Sequence, residues 1–138
     1  MKTALVSHRD VVRHEISPGH PECPERIDAI LDGLMQAELH DLLSHHEAPH
    51  ATREQLLRAH PESYVDQIHR AAPTTGSVSL DADTAMNPFS LEAALRAAGA
   101  AVLATDLVLS GAHDNAFCLV RPPGHCLLYT SPSPRDRG

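Results

Sequence analysis

The spacing of apolar positions changes several times along this chain, and each change marks an element. Thr3 to Ser7 is a short apolar run ending at His8 and reads as a first strand. The polar stretch from Arg9 to Cys23, broken by Pro18, Gly19 and Pro21, reads as loop. Ile27, Ile30, Leu31 and Leu34 then fall on one face of a helix running to about Ala37. Pro24 suits its first position, where a missing N–H costs nothing. Leu42 to Ala48 reads as a second strand, made polar by His45 and His46. Thr52 and Gln55 have capping-box spacing and open a short helix through about Ala59. Another helix starts at Pro61, with Tyr64, Val65 and Ile68 on one face.

Ala72 to Asn87 is rich in Pro, Thr, Gly and Ser and reads as loop. Ser90 is expected to cap the longest helix, Leu91 to about Leu109, closed by Gly111. Its alanines and Gly99 leave small residues on most faces, so it can approach a sheet closely. After it, Ala116 to Val120 has the composition of a strand buried on both faces. Arg121-Pro122-Pro123-Gly124 ends that strand, because proline cannot extend a ladder and glycine permits a sharp turn. The order strand, helices, strand, long helix, strand predicts an α/β chain with a parallel sheet flanked by helices. No segment repeats another.

Composition narrows the function. The 138 residues allow one domain, and 42% hydrophobic residues exclude wholesale disorder. With no Trp, two Phe and two Tyr, the core must rest on aliphatic residues. A formal charge of −7 argues against nucleic acid as a partner and tilts towards cationic substrates. Cys23, Cys118 and Cys126 are odd in number and lack metal-ligand spacing, which suits a reducing compartment. The apolar run after Met1 is too short for a signal peptide and no segment is long enough for a membrane span, so the expected location is cytoplasmic with no membrane partner. His40, His45, His46 and His50 form no coherent zinc spacing and are expected to be solvated.

The chemistry concentrates in two places. His125 follows the Arg121–Gly124 turn at the carboxyl end of a strand, where catalytic groups gather in α/β proteins. The plainer reading of that tetrapeptide is a turn with a solvent-facing histidine. About a hundred residues earlier comes Gly19-His20-Pro21-Glu22-Cys23-Pro24-Glu25-Arg26. Together, in this order, the two segments resemble signatures of the histone deacetylase and acetylpolyamine amidohydrolase superfamily. The first matches His-Pro-Glu-x-Pro-x-Arg through His20, Pro21, Glu22, Pro24 and Arg26. The second matches Arg-Pro-Pro-Gly-His-His through Arg121, Pro122, Pro123, Gly124 and His125. Leu80-Asp81-Ala82-Asp83-Thr84 resembles the family's rim loop, whose aspartate accepts hydrogen bonds from the substrate backbone. Family spacing gives Asp83 that role with Asp81 as competitor; turn bonds alone are the plain alternative. The stretch Leu56 to Val65 also resembles the family, with His60 expected to make a local hydrogen bond.

The resemblance implies the opening portion of an arginase/deacetylase-type fold, incomplete here, and a parent zinc enzyme hydrolysing N-acetyl amides of acetyl-lysine or acetylpolyamine. It implies His125 as a catalytic histidine assisting the transition state, and Gly124 and Asp83 as substrate-binding positions. The family's second tandem histidine, the principal general base, is replaced by Cys126. Its Asp-x-His zinc pair, further zinc aspartate and carbonyl-polarising tyrosine have no counterpart, so no metal is expected to be held and the chain is expected to be inactive. Residues 1–125 are therefore read as the amino-terminal part of a deacetylase domain. Residues 126–138, ending Ser-Pro-Ser-Pro-Arg-Asp-Arg-Gly, are read as an unrelated tail, a translation foreign to the gene or a natural truncation. A non-catalytic binding or regulatory module is the second reading, and a ureohydrolase relative, without its Asp-rich manganese motif, the third. The oligomeric state is left open. An incomplete sheet is expected to leave the isolated chain marginal or aggregation-prone.

Overall fold

A computed structural model describes residues 1–15, 19–80 and 85–123. Three parallel strands form its centre, β1 (Thr3–Ser7), β2 (Ser44–Glu47) and β5 (Asn115–Cys118), in the order β2-β1-β5. Ala4 lies opposite Ser44 on one side and Ala116 on the other. The helices are α1 (Glu25–Gln36), α2 (Arg53–Leu57), α3 (Glu62–Ala71) and α4 (Ser90–Leu109). The expected α/β class with a parallel sheet flanked by helices is what the chain adopts.

Alternation along β1 builds a core on each face of the sheet. Ala4 and Val6 pack with Ala48, Ala100 and Ala104 beneath α4. Leu5 points the other way, against Val11, Ile27 and Leu119. Small residues let α4 come close, as the sequence predicts. A Cβ built on Gly99 would lie 1.8 Å from the Pro49 carbonyl oxygen, so only glycine fits there.

Several local expectations change. The Arg9–Cys23 stretch contains a 3-10 helix, Arg9–Val12, because Val11 is fully buried and His8 Nδ1 accepts from the Asp10 N–H at 3.0 Å. The Ala72–Asn87 stretch contains a short antiparallel pair, β3 (Val78–Ser79) and β4 (Ala85–Met86). Helix α1 begins at Glu25, with Pro24 as the helical-dihedral residue before it. Ser90 is the first residue of α4 and does not cap it. Asn87 does that work: its Oδ1 accepts from Phe89 N–H at 2.9 Å, while the Ser90 N–H bonds the Asn87 carbonyl at 3.1 Å. The Thr52–Gln55 capping box is present as expected, although α2 ends at Leu57.

Strand β5 is not buried on both faces. Phe117 is 53% exposed, because α1 packs over Leu5 and Leu119 and leaves Phe117 uncovered. Among the described residues β5 pairs with β1 alone.

Candidate functional site: a buried arginine clamp beside an apolar cavity

The chain leaving β5 continues one ladder bond further, from Leu119 N–H to the Val6 carbonyl at 2.9 Å. That bond carries Arg121 into the interior, where its side chain is fully buried. A buried guanidinium is stable only when paired and hydrogen-bonded, and this one is. Its Nε donates to Glu22 Oε1 at 2.9 Å and its Nη2 to Glu22 Oε2 at 2.8 Å, the two-pronged geometry a planar guanidinium makes with a carboxylate. Nη1 donates to the Val11 carbonyl at 2.8 Å and also to the His14 carbonyl.

The two signature segments are thus parts of one ion pair. Glu22 supplies the carboxylate, His20 bonds the backbone that presents it, and Pro21 lines the neighbouring cavity. His20 Nδ1 accepts from the Glu22 N–H at 3.0 Å, and Arg26 reaches Glu22 Oε1 at 3.4 Å from the first turn of α1. Pro24 precedes that turn. Beyond Arg121, a cis peptide bond leads into Pro122 and Pro123, which line a cavity. Gly124, His125, Cys126 and the rest of the tail lie outside the described residues, as do Asp81 and Asp83.

His14, unremarkable in the sequence, is buried beside the clamp. Its Nδ1 lies 2.6 Å from Ser90 Oγ, and its Nε2 lies 3.8 Å from Glu22 Oε2. Burial holds its pKa below the ordinary histidine value; the Arg121 guanidinium acts in the same direction and the Glu22 carboxylate opposes both. Ser90 also accepts from the Asn87 N–H at 2.8 Å, and Asn87 Nδ2 donates to the Arg13 carbonyl at 2.8 Å. This network ties the start of α4 to the segment after the 3-10 helix. The valine pair at 11 and 12 within a polar stretch was the only sequence signal that this segment folds inward.

The cavity has a volume of about 820 Å³ and lies between α2–α3 and α4. Leu56, Val65 and Ile68 line one side, and Leu91, Leu95 and Ala98 the other. His60 is on its wall, with its ring 5.1 Å from that of Tyr64.

The four clustered histidines are not gathered into one site. His45 bonds the His40 carbonyl at 2.8 Å, and His50 Nε2 lies 2.5 Å from Glu92 Oε2. His46 departs from the expectation of solvation: its Nε2 lies 3.3 Å from Nε2 of the buried His113. Burial lowers the pKa of His113, with Lys2 and His46 adding to the effect and Asp114 opposing it. Among the described residues, Asp10, His50 and Glu92 form the set of three donors close enough to share an ion, within 4.8 Å of one another. They do not line the cavity, and Asp10 is already paired with Arg96 at 3.2 Å. That set does not fit a catalytic zinc, which needs three committed ligands and an open position facing substrate.

The end of β5 in this α/β sheet thus delivers a buried arginine and a Pro-Pro turn to the cavity. The model of the histone deacetylase domain matches residues 20–126, and the chain belongs to that family. It is 41% identical over 120 residues to the histone deacetylase-like amidohydrolase of Pseudomonas aeruginosa, covering 85% of this chain and 30% of that protein. It is 36% identical over 135 residues to the polyamine deacetylase HDAC10 of Homo sapiens, covering 91% of this chain and 20% of that protein. The crystal structure of the HDA15 HD domain superposes with a TM-score of 0.83 at 27% identity, over 94% of this chain and 39% of that one. The chain therefore spans well under half the length of these relatives. No helix among the described residues is long and apolar enough to cross a membrane.

Proposed function

We propose that residues 1–125 are the amino-terminal part of a zinc-dependent deacetylase that hydrolyses N-acetyl amides of acetyl-lysine or acetylpolyamine, and that this polypeptide is itself inactive. The Arg121–Glu22 pair carries the reading. It joins the two family motifs through a fully buried, fourfold hydrogen-bonded guanidinium and aims the chain at the cavity through Pro122 and Pro123. In the parent enzyme the fixed turn would hold His125 beside the substrate amide, where a histidine can stabilise charge and pass a proton to the leaving amine. Asp83 would orient substrate at the rim. Zinc would polarise the amide carbonyl in that enzyme, but this chain's described residues offer no site that fits it.

Inactivity follows from chemistry at one position. Where the family has its principal base, this chain has Cys126, and a thiol is a different acid and a softer donor than imidazole. The tail from Cys126 onward is proposed to be foreign to the gene. Sequencing the source DNA from the Cys118 codon onward tests this. A second histidine in place of Cys126, with the frame running on to an Asp-x-His pair, supports the reading of an interrupted enzyme. A frame that truly reads Cys-Leu-Leu-Tyr-Thr-Ser and stops sinks it and favours the binding module. The purified chain should release no acetate from acetyl-lysine peptide or acetylspermidine with zinc added; chelator-sensitive release would overturn the claim of inactivity.

A further inference from the structure

Among the described residues the parallel sheet has two outer edges, and their chemistry differs. The β2 edge runs Ser44, His45, His46, Glu47, polar throughout and ending in a carboxylate. The β5 edge, from Asn115 on to Val120, carries no charged side chain. Leu119 N–H bonds the Val6 carbonyl, and in a parallel ladder alternate residues face the same neighbour. The N–H and C=O groups of Ala116 and Cys118 therefore point away from β1. A row of such groups is a template for another strand. Apolar surface flanks the row on both faces of the sheet. Phe117 is exposed on the α1 side, and Leu109 is exposed on the α4 side beside the groove that Val108 and Ala116 line.

We propose that β5 pairs antiparallel with β5 of a second copy of this chain, about a two-fold axis at Phe117, to give a closed dimer with one continuous sheet. The segment is complementary to itself in that register. Ala116 of each copy lies opposite Cys118 of the other, and the outward groups of these residues exchange N–H···O=C bonds on both sides of the axis. Phe117 meets its counterpart in the non-hydrogen-bonded pair, where side chains lie closest. The nearest charge is Asp114, whose Oδ2 accepts from the Lys2 N–H at 2.6 Å. Three residues from the axis in each copy, the two Asp114 side chains stand about 20 Å apart, beyond the screening length. Pairing β5 with the β2 edge of another copy would run on into a filament, but it sets an apolar strand against a polar, charged one. The isologous contact uses up the apolar edge and stops at two copies. Aggregation of the chain starts from copies whose edge is unpaired, and the dimer competes with it.

The test is sedimentation velocity of the full chain over a concentration series, with amide exchange followed on the same samples. The mass should rise from one copy to two and level off, and exchange at Ala116 and Cys118 should slow as it does. Each copy carries a formal charge of −7, so association should tighten as salt is raised. Ala116→Pro removes one outward N–H per copy, spares the bonds to β1 and should weaken the dimer about tenfold or more. His45→Ala, on the β2 edge, should leave it unchanged. If Ala116→Pro does not fold, the concentration dependence of exchange in the unaltered chain decides the same point. A mass that stays at one copy, a mass that climbs past two with no plateau, association that weakens with salt, or exchange at these two amides that ignores concentration would overturn the proposal. None of these outcomes touches the deacetylase reading, which rests on Arg121 and Glu22.

Discussion

The two ends of the α4–β5 layer differ in how they satisfy their groups. At the carboxyl end of β5, Arg121 is fully buried and bonded to one carboxylate and two carbonyls. On both faces of the sheet near the amino end of β5, apolar surface stays open: Phe117 on the α1 side, and the last turns of α4 on the other. Phe117 is 53% and Leu109 80% exposed, and a groove lies between Thr105, Val108 and Ala116. The first region is complete within this chain. The second is left open among the described residues, in a chain that spans well under half the length of its relatives. Stability and association should therefore respond to different residues.

The largest effect should come from Arg121→Ala. It leaves the Glu22 carboxylate and two carbonyls without their partner, and breaking a buried pair costs about 3–5 kcal/mol. For a small chain that is most of the available stability, so chemical denaturation should show little or no folded baseline. Retention of a native-like transition would refute the clamp as the organising contact.

Next comes pH. His14 at the clamp and His113 beyond the opposite end of β5 both have lowered pKa values, chiefly through burial. The unfolded chain then binds more protons than the folded one. Their contribution is fully present above the unfolded histidine value of about 6.5 and is lost as pH falls from there towards the lowered folded values. Melting temperature should drop across that window. His14→Gln and His113→Gln should each flatten part of the drop, and an unchanged profile in both variants would assign it elsewhere.

Thr52→Ala removes the capping box of α2, which belongs to neither region, and should cost about 1 kcal/mol. Smallest in stability but decisive for the comparison is Phe117→Lys. A charge on an open edge strand blocks edge-to-edge pairing. It should barely change the unfolding free energy while reducing the aggregation expected of the parent chain in sedimentation or light scattering. If the unmodified chain is already a monomer with a sharp cooperative melt, the open face is not a liability.

Local information was enough for much of this protein. The apolar run Thr3–Ser7, the periodicity of Ile27 to Leu34, the Thr52–Gln55 box and the small residues of α4 each specify their element through neighbours a few positions away. The two motifs could be read as strings, because their residue types at fixed spacing are distinctive. That they meet could not be read, since an ion pair between residues 22 and 121 depends on where the sheet puts β5. The same holds for the burial of His14, the 3-10 helix that packs Val11, and the replacement of Ser90 by Asn87 as the cap. Each is fixed by contacts across tens of residues. The exposure of Phe117 follows the same rule: an apolar strand sequence states that a side chain can be buried, and only the packed neighbours decide whether it is.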